Sequence, residues 1–146
     1  MPRFFTLEQA QAMIPEVDRT LRAAQVAVRA LRGAGAEIAA HSQRAQFLGG
    51  VSGSPARLAT LASLRVHATH QLQALTQRLE ELGVQIKDLD SGLVDFPTLY
   101  RDQEVLLCWR MGESGISFWH DLHSGFRGRA PIDRDFVDHN RGDEPI

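Results

Sequence analysis

Side chains that can bind a metal ion or move protons cluster in the second half of this 146-residue chain. His120 lies in the stretch ISFWHDL, on an otherwise apolar strand face, and Asp88, Asp90 and Asp95 surround a turn. Imidazole is a common general base, and together with carboxylate oxygens it binds Mn, Fe or Zn. A hydrogen-bonded core histidine and turn-capping aspartates are the first interpretation. Provided that they converge, a divalent-metal site formed by Asp88, Asp95 and His120 is the alternative.

The stretch GFRGR places two arginines among glycines near the end of the same region. Arg127 and Arg129 each offer a planar fork of donors, and glycine lets backbone N–H groups approach a phosphate or carboxylate. Pairing of both arginines with nearby acidic residues is the alternative. The predicted ligand-binding set, for a small anionic ligand or a metal ion, is Asp88, Asp95, Arg110, Glu113, His120, Arg127 and Arg129.

The single cysteine, Cys108, lies mid-strand between Leu107 and Trp109. The first interpretation is a buried thiol that packs as a small apolar side chain, and a nucleophile is the alternative. One cysteine permits no intramolecular disulfide, which fits a reducing compartment. The chain contains no His-Glu-x-x-His, Cys-x-x-Cys or Walker motif. The sequence therefore assigns no catalytic residue and leaves open whether the protein is an enzyme.

The first half of the chain is predicted to be helical. Thr6 followed three residues later by Gln9 indicates a capping box, and apolar or small residues recur every three or four positions over Leu7–Leu31. That spacing is typical of a coiled-coil-like seam. Because proline removes an N–H and clashes with the preceding turn, Pro15 predicts a short first helix and then a kink or break. The long helix would start there and continue to about Phe47.

A second helix is predicted from Pro55 to Leu82, with Ser54 as its N-cap and Gly83 as its C-terminal cap. The loop LGGVSGS at residues 48–54 joins it to the first helix. The two helices form an antiparallel hairpin over residues 6–83. Their apolar stripes exceed what two helices can shield from water, so we expect a homodimer or a higher homo-oligomer.

Beyond Gly83 the apolar period changes from helical to alternating, which indicates β-strands. The stretches VQIK, LVDF, EVLLCWR and ISFWHDL predict strands, with Pro97 ending the second of them. The result is a three- to four-stranded antiparallel sheet over residues 84–123, and the fold class is α+β. Both faces of the last hairpin carry bulky apolar groups. One face must meet the helices, and the chain, a partner or a ligand must cover the other.

Residues 1–132 are predicted to form one domain, followed by a polar, acidic tail at residues 133–146 that is extended or partly disordered. The net charge of −2 does not favour nucleic-acid binding. The longest apolar run, VLLCW, is too short to span a membrane, and the N-terminal residues do not resemble a signal peptide. We therefore expect a cytoplasmic protein that does not act in a membrane.

Four phrases of the sequence resemble a family of small prokaryotic proteins known as domain of unknown function 2203. They are FFTLEQAQAMIPEV, GVQIKDLDSGLVDFP, LCWRMGE and FWHDLHSGFRGR, and the resemblance extends over about residues 4–132. It implies a bacterial or archaeal cytoplasmic protein and brings no activity with it. The positions in these phrases that match the family's motifs are Lys87, Asp88, Asp95, Trp109, Arg110, Glu113, Trp119, His120, Gly125 and Arg129.

Two functions are compatible with these features. The leading interpretation is a non-enzymatic, oligomeric interaction or assembly protein, which uses the hairpin for self-association and the second sheet face for a partner protein. The alternative is an enzyme-like domain that binds a metal ion or a small anion around Asp88, Asp95, Glu113, His120 and Arg129. A divalent metal ion is the only cofactor that the sequence suggests.

Overall fold

The computed structural model describes residues 3–48 and 54–143. It confirms the predicted α+β class, because a pair of long helices precedes an antiparallel sheet. In chain order the elements are α1 (Leu7–Leu48), α2 (Pro55–Glu81), β1 (Gln85–Asp88), β2 (Leu93–Tyr100), β3 (Gln103–Arg110), β4 (Phe118–His120), a 3-10 turn (Phe126–Gly128), β5 (Ala130–Pro131), α3 (Arg134–Asp138) and β6 (Asn140–Arg141).

The N-terminus of α1 is closed by the predicted capping box. The Gln9 N–H donates to the Thr6 hydroxyl at 3.1 Å, and the Thr6 N–H donates to the Gln9 side-chain oxygen at 3.0 Å. The predicted break at Pro15 is wrong, since α1 is a single helix that contains Pro15. Ala10 and Val17, on either side of the proline, are both fully buried, and this burial on both sides outweighs the one backbone hydrogen bond that Pro15 removes.

The ends of the hairpin helices agree with the sequence. α1 ends at Leu48, one residue beyond the predicted end, and α2 begins at Pro55 as predicted. The predicted loop lies mostly at residues 49–53, outside the described residues. Gly83 has a φ of 91°, and its N–H donates to the Glu80 carbonyl oxygen. This left-handed residue ends α2, as predicted.

The described chain forms two compact units, which we call the hairpin unit and the sheet unit. The hairpin unit is Ala23–Thr76, and the sheet unit comprises the residues up to Arg22 and from Gln77 onward. The helix contact inside the hairpin unit is built on small side chains and one leucine; its buried residues are Ala24, Ala27, Ala34, Leu61 and Ala68. A bidentate ion pair between Arg57 and Glu37 also joins the two helices.

The sheet has the strand order β1-β2-β3-β4-β5, with β6 added to β2, and all its pairs are antiparallel. The prediction that Pro97 ends the second strand is wrong, because β2 continues through it to Tyr100. The Pro97 carbonyl oxygen accepts from the Phe5 N–H at 2.8 Å, on the side away from β3. The missing N–H of Pro97 would point to that same side, so the β2–β3 ladder loses no hydrogen bond.

One face of the sheet forms the main core with the parts of α1 and α2 that belong to the sheet unit. Alternate residues of neighbouring strands face inward together, for example Val94 opposite Trp109 and Phe96 opposite Leu107. The helices supply apolar side chains such as Val17, which is fully buried. This packing directs the odd-numbered residues of β2 and the even-numbered residues of β3 and β4 to the second face.

The C-terminal segment differs from the extended or partly disordered tail that its composition predicts. Within the described residues it forms α3 and β6, and it makes the sheet larger than predicted. Phe136 is fully buried, with its ring centroid 4.7 Å from that of Tyr100 and 5.5 Å from that of Trp119. A polar segment can still adopt a defined structure when one of its residues is a buried aromatic, because that residue buries a large apolar area.

Candidate functional site

The second face of the sheet carries polar side chains at its centre. Asp95 on β2 lies directly opposite Cys108 on β3, and His120 on β4 lies opposite Leu106 on β3. Side chains of alternate residues share a face, so these three polar groups point to the same side. Cys108 is small, which leaves room for the longer His120 side chain to extend across β3 to Asp95.

His120 and Asp95 form a buried hydrogen-bonded pair, with His120 3% and Asp95 1% exposed. Nδ1 of His120 donates to the main-chain oxygen of Asp121 at 2.7 Å. Nε2 lies 3.1 and 3.0 Å from the two carboxylate oxygens of Asp95. A main-chain oxygen can only accept, so Nδ1 carries a hydrogen. One further proton must then lie between Nε2 and the carboxylate, and the pair shares it.

Cys108 completes a group of three possible metal ligands. One ligand atom each from Asp95, Cys108 and His120 lies within 4.8 Å of the others, and all three residues are buried. Burial, and next the charge of Asp95, raise the pKa of the Cys108 thiol to about 12. The thiol is free of any disulfide and keeps its proton at neutral pH unless a metal ion displaces it.

A cavity of about 190 Å³ opens onto this group. Asp95 and His120 form part of its wall, and two further nitrogen-bearing side chains, Lys87 and His123, also line it. The remaining lining residues are Leu93, Leu106, Leu122, Gly125 and Phe126. A small concave site with apolar walls and a few convergent polar groups is the usual form of a ligand pocket.

Part of the second face is lined by a stretch that we call the covering segment (residues 121–129), whose Leu122 and Phe126 are 48% and 41% exposed. The Asp121 carboxylate accepts from the N–H groups of His123 and Ser124 at 2.9 and 2.7 Å, which lowers its pKa. Phe126 contacts two guanidinium groups, since Arg110 and Arg129 lie 5.5 and 4.7 Å from its ring centroid. Of these contacts, the one between Arg110 and Phe126 joins the covering segment to the end of β3, and the others are internal to the segment.

The predicted site residues separate into groups. Asp95 and His120 lie together, whereas Arg129 pairs with Glu113 at 2.8 Å in a neighbouring cluster that also contains Arg110. Asp88 is exposed and accepts a hydrogen bond from the Ser91 hydroxyl at 2.6 Å, and this bond lowers its pKa. Arg127 is exposed and does not line the cavity.

Sequence reasoning did not include Cys108, Lys87 and His123 in the site. Arg101 and Asp102, with φ values of 51° and 64°, form a two-residue hairpin turn that the dipeptide Arg-Asp, which lacks the usual Asn or Gly, does not predict. Such a turn sets Tyr100 opposite Gln103 and therefore Asp95 opposite Cys108. Because the second strand was expected to end at Pro97, the pairing of Asp95 with Cys108 was not predicted.

The fold and site define an α+β protein with a helical hairpin, an antiparallel sheet and a buried Asp–Cys–His group beside a small cavity. The family described as "Uncharacterized conserved protein (DUF2203)" matches residues 3–132. The chain belongs to this family, as its resemblance suggested. Searches of curated proteins and of solved structures found no significant match. Among the described helices, none is both long enough and apolar enough to cross a bilayer.

Proposed function

We propose that the protein is a divalent-metal-binding domain whose ion is held by Asp95, Cys108 and His120. The observation that supports this most strongly is the convergence of three different ligand atoms within 4.8 Å beside a cavity. Imidazole, carboxylate and thiolate together suit Zn²⁺ or a similar first-row ion. Three protein ligands would leave a tetrahedral ion one further position for water or a ligand, and two of the three, Asp95 and His120, line the cavity.

The orientation of His120 supports the same proposal. Metal-binding histidines usually donate their second ring N–H to a main-chain oxygen or a carboxylate, which fixes the ring. The Asp121 main-chain oxygen accepts such a bond from Nδ1 at 2.7 Å and directs Nε2 toward Asp95. In the metal-bound form the ion would take the position of the proton shared by His120 and Asp95. A reducing cytoplasm, which is part of the proposal, would keep the Cys108 thiol available.

A loading experiment tests the metal site. After dialysis against Zn²⁺ or Co²⁺, mass spectrometry of the metal content should give one ion per chain, and the Co²⁺ form should show a thiolate-to-metal absorption band. Cys108→Ser should remove that band and weaken binding by more than about 100-fold, since it removes a ligand and not merely a supporting group. The Asp88→Asn variant is the matched control, because Asp88 lies outside the cluster, and it should bind as tightly as the wild type.

The number of protons released on metal binding tests the same site independently. Since the pKa of the Cys108 thiol is raised to about 12, the ion must displace that proton as well as the one shared by His120 and Asp95. We expect about two protons per ion, so affinity rises with pH, by up to about 100-fold per unit. Calorimetry in buffers of different ionisation enthalpy measures this number. Less than one bound ion per chain, or a Cys108→Ser variant that binds like the wild type, would contradict the proposal.

Self-association is the second candidate function, and the surface of the hairpin unit favours it. An apolar groove of about 510 Å³ is lined by Ala23, Val26, Gln71, Ala74 and Leu75, and Val26 is 57% exposed. Residues 23–76 contain five Arg and one acidic residue, whereas acidic residues exceed basic ones in the rest of the chain. We propose that a second copy docks its acidic sheet unit on this basic hairpin unit, because the charges are complementary.

Light scattering after size exclusion tests self-association. The wild type should have the mass of a dimer or larger at low salt and a smaller mass at high salt, since screening weakens contacts between exposed charges. Val26→Asp should give a monomer, because it places a charge in the apolar groove. Ala39→Asp adds the same charge to an exposed position of α1 outside the groove and should leave the mass unchanged. A wild-type monomer at high protein concentration and low salt would exclude this function.

A further inference from the structure

We infer that the cavity beside the Asp95–Cys108–His120 group binds a small carboxylate with a short apolar body. This inference rests on the proposed metal site, since the carboxylate would occupy the open position of the ion. Four of the nine residues that line the cavity have large apolar side chains, namely Leu93, Leu106, Leu122 and Phe126. Such a wall favours a ligand with a hydrocarbon part over a fully hydrated ion such as inorganic phosphate.

The position of Lys87 provides the first argument for a negative charge on the ligand. The β1–β2 register pairs Ile86 with Val94 and then Asp88 with Leu93, so Lys87 is the extra residue of a β-bulge. Bulges frequently redirect one side chain at the edge of a sheet, close to a binding site. Lys87 is exposed and lines this cavity as well as a second pocket beside Glu80 and Glu81. Its flexible four-carbon side chain would allow the ammonium group to reach an anion in the cavity.

The balance of charge in the cavity provides the second argument. The titratable side chains that line it are Lys87, Asp95, His120 and His123. An ion with two positive charges would be neutralised by the Asp95 carboxylate and the Cys108 thiolate, with His120 as a neutral ligand. The positive charge of Lys87 then remains without a negative partner in the cavity. A monocarboxylate would supply one, with its oxygens divided between the ion and Lys87.

The volume of the cavity limits the length of the ligand. The cavity holds about 190 Å³, which is less than the ~300–1,000 Å³ of pockets that take drug-sized ligands. We therefore expect a short carboxylate such as butanoate, with about six non-hydrogen atoms, to be of the right size. Each methylene added from acetate to butanoate should improve binding about three- to fourfold, as burial of one methylene does elsewhere, and longer chains should improve it no further.

Titration of the Co²⁺-loaded protein with acetate, propanoate, butanoate, hexanoate and butanamide tests the inference. The carboxylates should shift the visible cobalt spectrum with rising affinity up to butanoate, and neutral butanamide should leave it unchanged. Lys87→Ala should weaken butanoate binding by about tenfold, the usual effect of losing a charge-assisted hydrogen bond. Arg127→Ala is the matched control: it removes an exposed cation of the covering segment that does not line the cavity.

The outcomes separate the inference from the proposal on which it rests. If no cobalt spectrum forms, the metal site and the carboxylate site are both wrong. If cobalt binds with a thiolate band but butanoate leaves the spectrum unchanged, the metal site stands and the carboxylate inference is overturned. Equal butanoate affinity for the wild type and Lys87→Ala, or weakening by Arg127→Ala alone, would place the anion outside this cavity and also overturn the inference.

Discussion

Replacing His120 with alanine lowers the free energy of unfolding of the metal-free protein by about 3–5 kcal/mol, because it leaves a buried carboxylate without its partner. Asp95 is 1% exposed, and both of its carboxylate oxygens lie within 3.1 Å of the His120 ring. Urea unfolding in the presence of a chelator, followed by the fluorescence of Trp109 and Trp119, measures the loss.

The double variant with Asp95→Ala and His120→Ala shows whether the loss comes from the pair. Removing both partners should cost at least ~1.5 kcal/mol less than the sum of the two single variants, since it leaves no unpaired charge. His139→Ala is the control, because His139 and Asp135 form a His–Asp pair that is about half exposed and should contribute less than ~1 kcal/mol. Additive single effects, or a His120→Ala loss below 1 kcal/mol, would mean that the pair is not coupled as its geometry indicates.

Replacing Phe136 with alanine lowers the free energy of unfolding by about 3–5 kcal/mol, the usual cost of truncating a buried aromatic ring. Phe136 is fully buried and stacks on Trp119 at 5.5 Å. Asp133 caps the short helix that carries it, accepting from the Phe136 N–H at 2.8 Å. The loss would show that the acidic C-terminal segment is part of the fold. Thermal or urea unfolding, followed by the fluorescence of Trp109 and Trp119, measures it.

Val137 is the matched control for Phe136, because it is the next residue of the same helix and is 54% exposed. Val137→Ala should change the free energy of unfolding by less than ~0.5 kcal/mol. Removal of the residues beyond Ile132 should destabilise the sheet at least as much as Phe136→Ala, since it also removes β6 from its pairing with β2. If Phe136→Ala and the truncation both unfold at the wild-type midpoint, the segment behaves as the separable tail that its composition suggests.

The features that were predicted correctly are those whose cause lies in neighbouring residues. Thr6 and Gln9 satisfy each other's backbone N–H groups, and Gly83 adopts the left-handed conformation that its position after α2 requires. The spacing of apolar residues changes from a helical to an alternating pattern after Gly83, and this change correctly indicated where the sheet begins. Local propensity and capping are short-range effects, and they can be read along the chain.

The features that were predicted wrongly depend on distant contacts. Pro15 does not break α1, because burial on both sides of the proline outweighs one lost hydrogen bond. Pro97 does not end β2, because its carbonyl oxygen faces Phe5, far away in the sequence. For Pro15 the local rule was correct about the lost hydrogen bond, and tertiary packing outweighed it. For Pro97 the local rule was wrong, because the missing N–H lies on the side of β2 away from β3 and the ladder loses no hydrogen bond.

The candidate site illustrates the same division. His120 and Asp95 were identified by residue type, and in the structure Nε2 of His120 lies 3.0 Å from a carboxylate oxygen of Asp95. Asp88 was included because it is close to Asp95 in sequence, yet its carboxylate accepts from Ser91 at the β1–β2 turn. Cys108 was left out because nothing near it in the sequence suggests a polar partner.

The sequence by itself determined the element types, the ends of the hairpin helices and the alternation that gives the sheet two distinct faces, because these follow from the chemistry of residues a few positions apart. Only the tertiary structure decided the register that sets Asp95 opposite Cys108, the reach of His120 across β3 and the burial of Phe136. A shift of one residue in the register would move Cys108 to the opposite face, away from Asp95. The free-energy differences that select one register arise from packing the whole sheet at once, and no short stretch of the sequence contains them.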